Sequence, residues 1–229
     1  EQIAKHLPQK RQTLMFSATM APGVAKVAES YLKDPVRISI GSTTAPVDKI
    51  KQETVHTSES EKYDELLNQL GRFEGSCVVF VKTKFGADKL AVKLRKSDHS
   101  AEVIHGGLHQ RKRDRAIDNF RNSTHRILVA TDVAARGLDI PHIECVVNYD
   151  LPQCPEDYIH RIGRTGRAGA EGRAISLITS QDHFKWKSIC RLIKPEEKFQ
   201  GPRGGMGVRP QGRGPNRTQQ NKKRFFSFR

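Results

Sequence analysis

From residue 51 onward, short apolar runs rich in β-branched residues alternate with longer stretches in which apolar positions recur every three or four residues. The short runs predict strands over 53–57, 76–81, 101–105, 126–131, 144–149 and 173–179. The longer stretches predict helices near 59–70, 84–96, 109–121, 155–162 and 181–193. Each helix is long enough to carry the chain back to the same end of a sheet, so the sheet is expected to be mostly parallel with helices on both faces. Ser58, with Glu61 three residues later, predicts a capping box at the start of the first of these helices.

Residues 1–40 follow another pattern. A strand over 13–17 ("TLMFS"), a helix over 22–33 and a short strand over 36–40 ("VRISI") cannot make a sheet covered on both faces. They are expected to be the tail end of another α/β domain. Residues 41–49, "GSTTAPVDK", have no periodicity and read as a linker. The α/β domain then runs over 50–194. Residues 195–229 are rich in Gly, Pro, Arg and Gln and too poor in aliphatic residues to build a core, so disorder is expected there. The whole chain has 229 residues, 36% of them hydrophobic, enough for one full core and part of a second.

Charge narrows the partner. Forty Lys and Arg against 25 Asp and Glu leave a net +15, which favours a polyanion: nucleic acid or an anionic membrane surface. The 195–229 tail alone carries nine Lys and Arg against two Glu, a net +7, and an Arg/Gly tail of this kind can tether nucleic acid nonspecifically. No run approaches 18 apolar residues, and "EQIAKHLPQK" has no apolar signal region, so neither a membrane span nor a signal peptide is expected. Cys77, Cys145, Cys154 and Cys190 form no C-x-x-C pair and have no histidine at metal-ligand spacing, which argues against zinc. Cys77 and Cys145 fall inside strand runs, as small buried thiols do, which suits a reducing compartment and a cytoplasmic location.

Candidate chemistry gathers after the strands, where parallel sheets place their ligands. "KTK" (82–84) follows the 76–81 run, "HGG" (105–107) leads into the helix with Gln110 and Arg113, and "TDVAARGLD" (131–139) follows "RILVA". Thr, Gly and Asp in these places are also ordinary turn and cap residues, so their weight comes from sharing one edge. "HRIGRTGRAG" (160–169) is harder to read as a solvated surface. Two glycines cost about 1 kcal/mol each inside a helix, so they are expected to mark a helix end and a close backbone approach. Arg164 and Arg167 could then face one anion, and their guanidinium forks suit a phosphate that is redistributing charge, such as a nucleotide γ-phosphate.

"HRIGRTGR", with "SAT" at 17–19, "ATDVAARGLDI" at 130–140 and Gln110/Arg113 in "HQRKR", resembles the DEAD-box family of ATP-dependent RNA helicases in the family's own order over about residues 12–194. The resemblance implies two RecA-like domains that close over ATP and RNA. It implies that Arg164 and Arg167 reach the γ-phosphate across the cleft and that His160 and Arg161 help join the domains, a set grouped as catalytic. Gly137 and Asp139 match nucleotide-side positions, the aspartate facing the ribose hydroxyls. Thr83, Gly107, Arg113 and Thr131 match positions that grip the RNA backbone. Ser17, Ala18 and Thr19 match the segment of the first domain that couples hydrolysis to strand separation.

Hydroxyls, a backbone N–H and an arginine can hold phosphates and 2′-hydroxyls without reading base edges, so largely sequence-independent RNA binding is expected. The sequence contains no G-x-x-x-x-G-K-[ST] and no D-E-A-D. The family carries both upstream of "SAT". The chain is therefore expected to be the C-terminal half of a helicase, with ATP and Mg²⁺ held mainly by the N-terminal RecA-like domain, and inactive alone. The competing expectation is a non-catalytic RNA-binding or regulatory module on the same fold.

Overall fold

All six apolar runs expected from residue 51 onward become strands of one parallel sheet in the computed structural model. The structure describes residues 3–17, 20, 22–39, 50–135, 143–167 and 170–193. The linker over 41–49 and the tail over 195–229 lie outside the described residues. The strands are β1 (Ile50–His56), β2 (Cys77–Phe80), β3 (Ala101–Ile104), β4 (Ile127–Ala130), β5 (Cys145–Asn148) and β6 (Gly172–Ile178). Between them lie α2 (Lys62–Leu70), α3 (Lys84–Lys96), α4 (Gln110–Arg121), the short α5 (Asp132–Ala135) and α6 (Pro155–Ile162), with α7 (His183–Ile193) at the end. α1 (Pro22–Tyr31) precedes them.

The four central strands are buried on both faces, which is why they read as continuous apolar runs rather than as alternation. Cys77, Val79, Ile127, Val129 and Ile175 face Leu66 and Leu70 of α2 and Leu90 and Leu94 of α3. Val78, Phe80, Leu128 and Val146 face the other way, onto Phe120 of α4 and Ala134 and Ala135 of α5. On that same face Ile50 and Ala174 pack with Tyr158 and Ile162 of α6 and Ile189 of α7. Cys77 and Cys145 are free, buried and register partners, and burial followed by the neighbouring Cys145 pushes the Cys77 thiol well above its ordinary value.

Strand order is β1-β6-β5-β2-β4-β3. The chain leaves β2 toward one edge, through α3 to β3, and leaves β5 toward the other, through α6 to β6. β2 and β5 are neighbours, so the crevice beyond their carboxyl ends is the switch point at which open α/β sheets take ligands.

Two expectations are corrected. Residues 13–17 and the described part of 36–40 form no strand, because a strand needs a neighbour for its N–H and C=O groups and none of the sheet's strands pairs with them. Their apolar side chains stand in solvent, with Phe16 89% and Ile38 82% exposed. The capping box also forms only in part. Ser58 Oγ accepts from the Glu61 N–H at 3.3 Å and donates to the Glu61 carboxylate at 2.6 Å, but α2 starts at Lys62, so the pair shapes the preceding turn. A complete box caps the turn before α7, where Thr179 and Asp182 bond reciprocally.

Candidate functional site

One register row crosses the sheet: Ser176, Asn148, Phe80, Ala130 and Ile104 are successive partners on β6, β5, β2, β4 and β3. Asp150, Thr83, Thr131 and Gly107 follow this row by one to three residues, so the edge expected from sequence is real. Adjacent strands stand about 4.8 Å apart, which spreads these residues along one continuous rim.

At the switch point the rim is built around a buried cation. Arg161, in the last turn of α6, is 2% exposed. Its Nε and Nη2 donate to the two carboxylate oxygens of Asp132 at 2.5 and 2.8 Å. Its Nη1 donates to Asn148 Oδ1 at 3.1 Å and to the Asp150 carbonyl at 2.6 Å, and its guanidinium lies 4.9 Å from the Phe80 ring centroid. Four of the five guanidinium donors are thus engaged inside the domain. Arg161 is therefore held inside this domain, with 2% of its surface exposed. It anchors the segment that carries the other arginines.

That segment turns where the glycines predict. Gly163 ends α6, its N–H donating to the Ile159 carbonyl at 2.9 Å. Gly166 has φ +67°, a left-handed conformation that glycine adopts without penalty. Thr165, also buried, places its hydroxyl 2.6 Å from the Ile143 carbonyl and 2.9 Å from that of Glu144, which ties the turn to the chain entering β5. Arg164 Nε donates to the His160 carbonyl and Arg167 Nε to the Gly163 carbonyl, at 3.2 and 2.9 Å, so both arginines make the same four-residue backward reach. His160 and Arg164 line a shallow pocket with Phe80, Asp132, Asp157 and Arg161.

Asp150 connects this cluster to its neighbours. One carboxylate oxygen accepts from Lys62 Nζ at 2.8 Å and the other from the Lys82 N–H at 2.9 Å. Lys62 is 3% exposed and lies over the Tyr149 ring, a position that suits a lysine only when its ammonium is paired. Burial, then the nearby Asp150 carboxylate, pushes the Tyr149 hydroxyl up to about 12. Burial likewise pushes Tyr158 up to about 12, and its hydroxyl donates to Gln52 on β1 at 3.0 Å.

The β2-β4-β3 side is built differently. Thr83 is exposed and caps α3, its hydroxyl oxygen accepting from the Gly86 N–H at 2.9 Å. A side chain at position 86 would stand 2.9 Å from that oxygen, which explains a glycine in the first turn. The Thr83 hydroxyl hydrogen is not used by this bond and can donate to a phosphate. Gly107 donates its N–H to His105 Nδ1 at 3.1 Å, and His105 Nε2 lies 3.1 Å from both oxygens of Asp88. Arg113 donates to Gln110 at 3.1 Å, while its Nε is buried with no hydrogen-bond partner among the described residues. Thr131 is buried directly after β4, and its carbonyl accepts from the Ala134 and Ala135 N–H groups of α5.

Ser17 is exposed and outside any helix or strand, whereas Ala18, Thr19, Gly137 and Asp139 lie outside the described residues. Among the described residues no group of three or more His, Cys, Asp or Glu could hold a metal ion, and no helix is long and apolar enough to cross a membrane. Sequence reasoning missed Lys62, Asn148 and Asp150. Lys62 was signalled by its place on the stripe of Leu66 and Leu70, and Asn148 by closing an apolar strand.

The chain matches the model of the helicase conserved C-terminal domain over residues 59–169. It is 47% identical over 184 residues to the human probable ATP-dependent RNA helicase DDX23, a match covering 80% of this chain and 22% of that protein. It superposes on S. cerevisiae Dbp5 bound to RNA and ADP BeF3 with a TM-score of 0.76 and 36% identity, covering 85% of this chain and 52% of that one. On the E. coli DEAD-box protein SrmB bound to RraA the TM-score is 0.61 at 37% identity, covering 63% of this chain and 86% of that one. The chain spans less than half the length of the curated relatives it matches. A parallel RecA-like sheet, an arginine turn anchored at its switch point and these likenesses agree: the chain belongs to the DEAD-box RNA helicase family and carries that family's C-terminal domain.

Proposed function

We propose that this chain works as the C-terminal half of an ATP-dependent RNA helicase, which remodels RNA through ATP-driven closure of two RecA-like domains. The anchoring of Arg161 carries the reading: a buried arginine with four of its five donors engaged holds the turn with Arg164 and Arg167 at the switch point. Fixed guanidinium groups stabilise charge developing on a transferred phosphoryl group without reorganising. ATP, held with Mg²⁺ mainly by a first RecA-like domain, supplies the phosphoanhydride whose hydrolysis resets closure. His160 completes the pocket beside Arg164, and Gly137 and Asp139 complete the nucleotide side.

In this reading residues 1–40 belong to the end of the first domain, with Ser17, Ala18 and Thr19 as its coupling segment. The exposed Phe16 and Ile38 support that, since apolar side chains of this kind normally have a sheet to cover. Residues 41–49 are the linker, 50–194 the second domain and 195–229 a basic tether. Thr83, Arg113 and Thr131 hold the RNA backbone at the β2-β4-β3 rim, with the Gly107 loop beside them. Backbone contacts fit relatives whose names span rRNA and pre-mRNA splicing helicases. Free thiols at Cys77 and Cys145 suit a reducing, cytoplasmic setting.

The test joins this chain to a DEAD-box first domain carrying the phosphate loop and measures ATP hydrolysis with and without RNA. The 229-residue chain alone is expected to be inactive and the joined protein to be stimulated by RNA. Arg167→Ala in the joined protein is expected to lower turnover by about 10³-fold or more, the range for an arginine finger. Wild-type turnover in that variant overturns the assignment. A folded, inactive fusion that still binds RNA points instead to a non-catalytic binding module.

A further inference from the structure

The ladder between β2 and β5 ends at Asp150 with an exchange of partners. The Asp150 N–H donates to the Phe80 carbonyl at 3.1 Å, and the next rung of a parallel ladder would run from the Lys82 N–H to the Asp150 carbonyl. That carbonyl accepts instead from Arg161 Nη1 at 2.6 Å, and the Lys82 N–H turns to the Asp150 carboxylate at 2.9 Å. One residue thus serves both halves of the rim. Its carbonyl helps anchor the helix that leads to Arg164 and Arg167, while its carboxylate directs the chain that leads to Thr83 and the start of α3.

The carboxylate is itself held from α2. Lys62 Nζ lies 2.8 Å from the Asp150 oxygen that the Lys82 N–H does not use. Lys62 is 3% exposed, with the Glu59 carboxylate at 3.7 Å and the Tyr149 ring face as its other neighbours. A lysine so placed keeps its ammonium only against an opposite charge, and in return it fixes the rotamer in which Asp150 meets Lys82. Without that ammonium the Asp150 side chain, 29% exposed, can turn toward water. The Lys82 N–H would then compete with Arg161 for the Asp150 carbonyl.

We propose that Lys62 is a positioning residue, which through Asp150 fixes the spacing between the arginine turn and the Thr83 segment and so couples RNA to ATP hydrolysis. The proposal rests on the helicase reading given above. Each half of the rim keeps bonds of its own when Lys62 is removed: Arg161 to Asp132 and Asn148, and Thr83 to the Gly86 N–H. Their fixed relation is what Lys62 adds. The effect therefore falls on communication between nucleotide and RNA, a coupling of two sites rather than a property of either.

Two measurements test this. In the 229-residue chain, amide exchange followed by NMR reads the Lys82 N–H directly. Lys62→Met keeps the length of the side chain and removes its charge, and it is expected to speed Lys82 exchange by about 10-fold or more, as for a lost bond to a charged acceptor. In the chain joined to a DEAD-box first domain, the quantity read is the ratio of ATP turnover at saturating RNA to turnover without RNA. Lys62→Met is expected to lower this ratio by about 5-fold or more, the range of coupling between sites. A mere loss of folded protein lowers both rates together and leaves the ratio unchanged. Asp150→Asn is expected to lower it similarly, and Lys62→Met added to Asp150→Asn to lower it no further, since the two act as one unit. That double variant leaves neither charge of the pair unmatched, so it carries the test if Lys62→Met alone does not fold. Unchanged Lys82 exchange, an unchanged ratio in Lys62→Met, or a further fall in the double variant overturns the proposal and leaves the helicase reading intact when wild type is stimulated by RNA. A wild-type joined protein without RNA stimulation overturns both.

Discussion

On the β5 side of the rim, Arg161 bonds to residues 11, 13 and 29 positions away in sequence, and all of these contacts are largely shielded from water. On the β4-β3 side, Thr83 and Arg113 make hydrogen bonds to residues three positions away, at the surface. The first arrangement draws together α5, β5 and α6 and cannot be rearranged without exposing a buried charge. The second consists of local, exposed hydrogen bonds, each worth about 1 kcal/mol, that yield readily to a ligand. In the proposed function, the β5 side would present arginines to a single phosphate, a task that gains from rigidity, since preorganised charge needs no reorganisation during reaction. In the proposed function, the β4-β3 side would hold an RNA backbone of any sequence, a task that gains from side chains that adjust.

The contrast breaks most decisively at Arg161. Arg161→Ala leaves the Asp132 carboxylate and the Asn148 and Asp150 acceptors without their donor, and a loss of about 3–5 kcal/mol is expected in urea unfolding of the chain. Arg161→Lys is expected to recover only a minor part of this, because an ammonium cannot fork to both oxygens of Asp132. A loss below about 1 kcal/mol for Arg161→Ala would mean that the two sides of the rim do not differ in kind.

A smaller effect is expected in alkali. The Tyr158 hydroxyl is raised to about 12 in the folded chain, chiefly by burial, whereas an unfolded tyrosine titrates near 10. The folded state therefore holds its proton longer. The contribution is fully present below about pH 10 and is lost as pH rises toward 12, by roughly 2–3 kcal/mol in all. Tyr158→Phe is expected to flatten this part of the stability profile. An equally steep fall in that variant would locate the alkaline transition elsewhere.

The smallest of the three effects lies on the β4-β3 side. Thr83→Ala removes the α3 cap and is expected to cost about 1 kcal/mol in the same unfolding experiment. Thr83→Ser keeps an accepting hydroxyl and is expected to stay near wild type. If Thr83→Ala were as damaging as Arg161→Ala, Thr83 would have to be part of a long-range network like that of Arg161.

Much of this was legible in the sequence. The buried strands announced themselves as apolar runs of four to six residues, because a parallel sheet covered on both faces leaves no polar alternation. The turn after α6 was legible for a similar reason, since glycines at 163 and 166 are tolerated only where a helix stops. The strands expected at 13–17 and 36–40 failed for the opposite reason: a strand-like pattern specifies a strand only where a neighbour supplies the ladder. Lys62 and Asp150 were not legible as a pair, being 88 residues apart.

What the sequence determined by itself was periodicity and local chemistry: which segments are strands and helices, where the chain turns, and which residue types stand at the strand ends. These depend on neighbours within a few positions. Only the tertiary structure decided which charges are buried and whom they pair with. It placed Arg161 inside the domain rather than at its surface, and directed the Gly107 N–H to His105. The reason is physical: a charged side chain takes its role from the low-dielectric surroundings and partners that distant segments bring to it, and sequence spacing does not encode that approach.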